Sequence, residues 1–190
     1  MLLLIDNFDS FSHILADLIR QTGEELTILR SDATPGQVEQ IDFQGLILSP
    51  GPGKPSDSGN LMQIFKKYHD QIPVLGICLG HQAIGEFFGA ELVKNHVPTH
   101  GKVHLVHKTK THPMTDFLPE KFHVTRYHSL QLKDLPDCLE SILETESGEI
   151  MGIAHKNLPI LGIQYHPEAY LTEYGLELIS SWVRNSKVKK

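Results

Sequence analysis

Apolar residues fall into short continuous runs, separated by stretches in which they recur at helical spacing. Leu2 to Ile5 is such a run and reads as a strand buried on both faces. Asp6-Asn7-Phe8-Asp9-Ser10 follows as a turn rich in capping residues. Phe11, Ile14, Leu15, Leu18 and Ile19 then mark one face of a helix that Gly23 stops. Leu26 to Leu29 is the next strand, and this strand–helix–strand unit implies parallel pairing. Gly45 to Leu48 reads as another buried strand, and Leu61, Ile64, Phe65 and Tyr68 as a helix. Pro73 opens a strand at Val74 to Ile77, which runs into a helix starting near Leu79. After Gly89 the rhythm changes. Ala90 to Lys108 and Phe122 to Leu130 alternate without clear intervening helices, predicting an antiparallel extension or edge ribbon. Glu149 to Ala154 and Ile160 to Gln164 are further strands, and Leu176, Leu178, Ile179, Trp182 and Val183 predict a closing helix. No repeat, low-complexity tract or linker interrupts this order. The expected fold is α/β: an open, mostly parallel sheet with flanking helices and an antiparallel extension, in a single domain spanning residues 1–190.

Composition narrows the classes. The chain has 190 residues, 40% hydrophobic and 21% charged, ordinary for a globular domain with its own core. A net charge of −6 argues against a general nucleic-acid binder. The basic tail Lys187-Val188-Lys189-Lys190 reads as a solvated, frayed end. Two cysteines, Cys78 and Cys138, make no disulfide framework and no Cys-x-x-Cys, so zinc and thioredoxin-like redox chemistry are not suggested. Met1 to Ile5 is too short for a leader, and no run is long enough to span a membrane, so a reducing cytoplasm is expected.

The candidate chemistry centres on Gly76-Ile77-Cys78-Leu79-Gly80, at the joint between strand and helix. Gly-x-Cys-x-Gly is the cysteine form of a nucleophile elbow. A nucleophile standing clear of the sheet needs a sharply bent backbone and small neighbours. The following helix N-terminus favours thiolate over thiol and can hold an oxyanion. The same pattern also suits a buried cysteine in a tightly packed turn. Cys138, within DLPDCLES, lacks such glycines. The loop Ser49-Pro50-Gly51-Pro52-Gly53-Lys54-Pro55 reads either as a rigid surface loop or as one presenting N–H groups at the carboxyl edge of the sheet, where open α/β folds bind ligands. It is not a phosphate-binding Walker loop, because Pro55 follows Lys54 and the upstream glycine is missing. No GxGxxG follows any strand, so a dinucleotide site is not indicated. His166-Pro167-Glu168 offers a proton carrier and a carboxylate to orient it. On an extended segment the two would point to one side, stiffened by proline, although HPE also suits a strand-end turn. His96, His100 and His104 lie four apart, but the proline, glycine and β-branched residues among them oppose a helix, so no metal site is assigned.

Five segments carry a family resemblance: PGPG at 50–53, GICLGHQAIG at 76–85, HGK at 100–102, RYHSL at 126–130 and GIQYHPE at 162–168. Together they resemble the class I (triad) glutamine amidotransferases across essentially the whole chain. The opening LLIDNFDSF at 3–11 is similar to the chorismate branch, the small subunits of anthranilate synthase and aminodeoxychorismate synthase. The loop form PGPGKPSDSG favours anthranilate synthase component II, with aminodeoxychorismate synthase as the alternative and a stand-alone γ-glutamyl thiol hydrolase more remote. The resemblance implies Cys78 as nucleophile, His166 as general acid and base, and Glu168 as its orienting carboxylate. It implies an oxyanion hole from backbone N–H groups of the Gly51 loop and Leu79. It implies a glutamine site lined by Gly51, Pro52 and Gly53, with Gln82, Ser129 and Leu130 at the amino-acid end. His81 receives no role beyond structure, and His128 is the next candidate base should His166 not serve. L-glutamine is the implied substrate, a large chorismate-binding synthase subunit the implied partner, and neither metal nor organic cofactor is implied. One departure is visible: the family usually reads HPES, and here Ala169 follows Glu168.

Overall fold

The protein is described by a computed structural model covering residues 1–95 and 99–187. His96, Val97 and Pro98, and the tail from Val188 onward, lie outside the described residues, so the expectations resting on them do too.

The first half follows the periodicity closely. Strand β1 is Leu2–Asp6, helix α1 is Ser12–Arg20 and β2 is Leu26–Arg30. Helix α2 is Pro35–Glu39 and β3 is Leu46–Leu48. Helix α3 is Leu61–Tyr68, β4 is Val74–Ile77 and α4 is Leu79–Phe88. Helix α2 has no counterpart among the expected elements. It is short, but Thr34 and Gln37 close a capping box at its start and proline occupies its first position. The polar turn before α1 does not cap that helix through a side chain. Its carboxylates serve the turn itself: Asp6 Oδ1 accepts from Ser12 Oγ at 2.6 Å, and Asp9 Oδ1 accepts the Phe11 N–H at 2.8 Å.

The second half holds β5 at Glu91–Lys94, β6 at Lys102–Lys108, β7 at Lys121–Arg126 and β8 at Leu130–Lys133. Strand β9 is Leu139–Thr145, β10 is Ile150–His155, β11 is Ile160–Ile163, and helix α5 is Gly175–Ser186. Among the described residues nine strands form one sheet in the order β2-β1-β3-β4-β11-β10-β9-β6-β7. Pairing is parallel from β2 through β11 and antiparallel from β11 through β7. The expected extension therefore divides. Strands β6 and β7 join the main sheet, while β5 and β8 make a separate antiparallel ribbon. His104 lies on β6, off any helix.

Alternate residues of β1 explain the layering. Leu2 and Leu4 face a cluster with Leu15, Ile19, Ile179 and Trp182 from α1 and α5. Leu3 and Ile5 face the other side, with Ile64, Phe65, Ala83 and Ile84 from α3 and α4. Both faces are covered, as the continuous apolar runs require. The loops after β1, β3, β4 and β11 leave the carboxyl ends of parallel neighbours and converge there. Among the described residues no helix is long and apolar enough to cross a membrane.

Candidate active site

Cys78 stands between β4 and α4 with φ +50° and ψ −98°. A side-chain-bearing residue in that region is strained by order 1–3 kcal/mol, and the surroundings must hold it there. They do so through hydrogen bonds and close packing. The Cys78 N–H donates to Ile163 O at 2.8 Å, and Cys78 O accepts the Gln82 N–H at 3.1 Å. Gly76 and Gly80 permit the tight joint. A Cβ on Gly76 would lie 2.5 Å from the Gly80 backbone, and one on Gly80 would lie 2.3 Å from Leu48 O. The small flanking residues are thus required by strand–helix approach as well as by the bend. Cys138, by contrast, sits far along the chain at the foot of β9, partly exposed and outside this joint.

The loop after β3 is pinned against the loop after β1. The Asn7 N–H donates to Ser49 Oγ at 2.8 Å, and Asn7 Nδ2 donates to Ser49 O at 2.9 Å. A Cβ on Gly51 would meet Asn7 Cβ and Leu79 Cδ2, each at 2.6 Å, so only glycine lets the loop lie this close to the start of α4. Gly51 and Leu79 are therefore brought into contact. Leu79 is the first residue of its helix, where backbone N–H groups lack intrahelical partners. The loop is fixed, and its residues Gly51, Pro52 and Gly53 border a pocket.

His166 follows β11 and meets Glu168 through Nδ1 and Oε1 at 2.6 Å. The backbone here is a turn and not an extended segment. The Ala169 N–H donates to His166 O at 3.2 Å, with Pro167 at the second turn position, where its fixed φ belongs. The histidine and carboxylate meet as the sequence leads one to expect, by a different backbone path. Thr172 Oγ1 donates to His166 O at 2.7 Å, and the His166 N–H donates to Thr125 O at 3.1 Å. The imidazole is flanked by Phe11 and Tyr127, with ring centroids 5.2 and 5.1 Å away. Burial opposes charge on this ring, but a negative charge at Cys78 and the hydrogen-bonded Glu168 outweigh it and hold the His166 pKa well above its ordinary value. Nε2 itself makes no hydrogen bond of standard geometry among the described residues, so the influence of Cys78 is one of proximity and charge.

A pocket of about 180 Å³ opens beside the sulfur. Gly51, Pro52, Gly53, Gln82, Ser129 and Leu130, all expected from sequence, line it together with Cys78. Tyr127 and His128 complete the wall. Gln82 Nε2 donates to Leu130 O at 3.3 Å and to Gln164 Oε1 at 3.2 Å. Gln164 Nε2 lies 3.7 Å from Cys78 Sγ as a weak donor to it. Gln164, Asn7, Phe11 and Tyr127 are not among the site residues expected from the sequence. Gln164 and Tyr127 lie inside the quoted GIQYHPE and RYHSL segments, and Asn7 and Phe11 inside LLIDNFDSF, so the signal was present without its geometry.

Two further histidines are buried nearby. His81 packs against Gly162, whose missing side chain leaves room for the ring, and burial pushes its pKa down to about 4 against a backbone contact from Gly162. His128 is held down to about 3, by burial first and by Arg126 next. Arg126 Nε donates to His128 Nε2 at 3.0 Å, which leaves Nδ1 to carry the ring proton. A ring so committed is no proton acceptor for the sulfur, and the alternative base named from sequence is a fixed neutral group.

A family model described as glutamine amidotransferase class-I matches residues 3–185. Among curated proteins, the chain is 38% identical over 187 residues to "Aminodeoxychorismate/anthranilate synthase component 2" of Bacillus subtilis, covering 96% of this chain and 95% of that one. It is 40% identical over 194 residues to "Anthranilate synthase component 2" of Pseudomonas putida, covering 98% of each. Among solved structures, it superposes with a TM-score of 0.86 on a Thermoplasma acidophilum protein assigned provisionally to a GMP synthase. The two are 28% identical, over 96% of this chain and 92% of that one.

Proposed function

The chain belongs to the class-I glutamine amidotransferases, and we propose that it is the glutaminase component of a chorismate-using synthase, most simply anthranilate synthase. The observation that carries this reading is Cys78 at the head of α4, lining a small polar pocket, with the buried His166–Glu168 pair near enough for the sulfur to raise the His166 pKa.

The chemistry follows from the geometry. Glutamine enters with its carboxamide toward Cys78. The cysteine thiolate attacks the amide carbon, and the negative charge moves to the amide oxygen. Backbone N–H groups of Leu79 and the Gly51 loop receive that charge; loss of one such donor costs roughly 10²–10³-fold in rate. His166, charged and oriented by Glu168, gives its proton to the departing nitrogen, which leaves as ammonia. The neutral ring then takes a proton from water, and hydroxide opens the γ-glutamyl thioester. Glutamate leaves and the thiolate is restored. The steps above use these residues and water, and none of them calls on a metal or organic cofactor.

Ammonia released into solvent is wasted, so the second half of the reaction belongs to a partner that uses chorismate. Aminodeoxychorismate synthase is the second reading, favoured by the Bacillus relative, whose name joins both activities. Reconstitution separates them. The chain is mixed with each candidate large subunit, glutamine and chorismate, and anthranilate fluorescence is followed against 4-amino-4-deoxychorismate. Anthranilate is the expected product. Product with the aminodeoxychorismate partner alone reverses the choice, and product with neither ends the chorismate reading.

A further inference from the structure

We infer that His128 is a positioning residue for the amino-acid end of the substrate: it fixes the Leu130 carbonyl, and with it the peptide wall of the glutamine pocket. The inference rests on the glutaminase reading above.

The polar groups here form a chain from a second cavity to the pocket. At the outer end, Arg126 and Glu149 border a cavity of about 370 Å³ on the β6–β7 side. The Arg126 guanidinium is ion-paired with the Glu149 carboxylate. Its Nε donates to His128 Nε2 at 3.0 Å, and His128 Nδ1 lies 2.7 Å from Leu130 O. Gln82 Nε2 reaches the same oxygen at 3.3 Å.

The Asn95 side-chain amide also lies 3.3 Å from His128 Nδ1, and its oxygen, unpartnered among the described residues, can turn toward the ring, so the guanidinium sets the direction of donation. A guanidinium Nε only donates, so His128 Nε2 must accept and Nδ1–H must donate to Leu130 O. Protonating the ring would set two donors facing each other. The ring therefore has one charge state and one tautomer in the fold.

Leu130 O then receives two hydrogen bonds, one for each lone pair. It has no capacity left for a substrate ammonium group. Its use is to stop rotation of the peptide between Leu130 and Gln131, so that the Ser129–Leu130 wall keeps one shape. An amino-acid ligand meets a prepared surface and does not have to order it. Asn95 extends the same hold, since its N–H donates to Ser129 O at 2.8 Å.

The test separates this role from reactivity at the sulfur and from plain stability. Two electrophiles are compared: the chloroketone analogue of L-glutamine, which carries the amino-acid end, and iodoacetamide, which does not. His128→Gln keeps an acceptor for Arg126 but cannot place a donor at Leu130 O. His128→Asn keeps a donor at the Nδ1 position but leaves Arg126 Nε unpaired. For His128→Gln, the concentration of chloroketone giving half-maximal inactivation should rise about tenfold, the value of a lost hydrogen bond beside a buried carbonyl. Its iodoacetamide rate should stay within about twofold of wild type. For His128→Asn the half-saturating concentration should stay near wild type while the melting temperature falls. Unchanged chloroketone saturation in His128→Gln overturns the inference, and so does saturation that simply tracks melting temperature across the two variants. A wild-type chain that shows no saturation with the chloroketone would instead overturn the glutaminase reading beneath it.

Discussion

His166 and His128 are 2% and 4% exposed, both neighbour Tyr127, and are driven in opposite directions. Burial lowers both, as it must for a base that becomes a cation. What differs is the second neighbour. His166 faces the Cys78 sulfur, whose negative charge raises it, and a carboxylate 2.6 Å away. His128 faces a guanidinium that can only donate. Depth in the protein therefore does not decide whether a histidine carries a charge. The partner on each ring nitrogen does, and one region is built to move a proton while the other is built never to take one.

The strongest way to break the contrast is Cys78→Ser. It removes the nucleophile and the negative charge that lifts His166. Glutamine hydrolysis should fall on the order of 10⁴-fold or more, and the His166 imidazole should titrate lower by NMR. Peptide mapping after chloroketone treatment of the wild type should place the label on Cys78. Label found chiefly on Cys138 would unseat the assignment.

Next comes the proton carrier itself. His166→Ala should lower kcat by about 10²–10⁴-fold, the usual range for a positioned acid–base group. Glu168→Ala should cost less, because the carrier remains and only its orientation is loosened. Steady-state hydrolysis decides the order. Near-normal turnover in His166→Ala would mean that some other group does the work.

The two rings should also bend the pH dependence of stability in opposite directions. His128 has a folded value of about 3 against an ordinary 6.5. Its contribution is complete above 6.5 and drains as pH falls, because the unfolded chain takes a proton that the folded one refuses. His166 is raised, so its contribution is complete below 6.5 and is lost as pH climbs through its folded value. Each unit of pH inside such a window is about 1.4 kcal/mol per group. Urea unfolding at pH 6.5 and pH 5 should show His128→Asn losing about 2 kcal/mol less than wild type over that interval. An equal loss would contradict the low value assigned to the ring. His81, displaced the same way, remains in both chains and cancels.

The smallest effect expected is from Ala169→Ser. Ala169 is buried beside the turn, and Glu168 Oε2 has no hydrogen-bond partner among the described residues. A hydroxyl there should change turnover by only about two- to threefold, the low end of what one hydrogen bond contributes. A tenfold change would mean that the orphan oxygen limits how well Glu168 holds His166.

Legibility in the sequence follows how local each signal is. The parallel half was readable because a strand covered on both faces is apolar throughout, and the helices between repeat with a clear period. Strand β9 passed unrecognised: in Leu139–Thr145 buried and half-buried positions do not alternate, and its partner β10 shifts register between Ile150 and Ile153. A bulge of that kind erases the period of two. The places of Cys78, His166 and Glu168 were legible through motifs alone, although His166-Pro167-Glu168 folds as a turn. The commitment of His128 was not. Its meaning depends on Arg126, two residues earlier at the end of β7, and on Leu130, and RYHSL does not say which ring nitrogen meets which.

The backbone at Cys78 has an evolutionary consequence. Its φ of +50° is a conformation that glycine adopts freely and other residues resist. The position thus sets fitness against folding: cysteine is demanded by chemistry and disfavoured by the chain. Were selection for ammonia release relaxed, as in a lineage fed with external ammonium, drift at this one site would run toward glycine. The resulting protein would be inert and more stable than its ancestor. Cys78→Gly should therefore melt higher than the parent chain while losing glutamine hydrolysis.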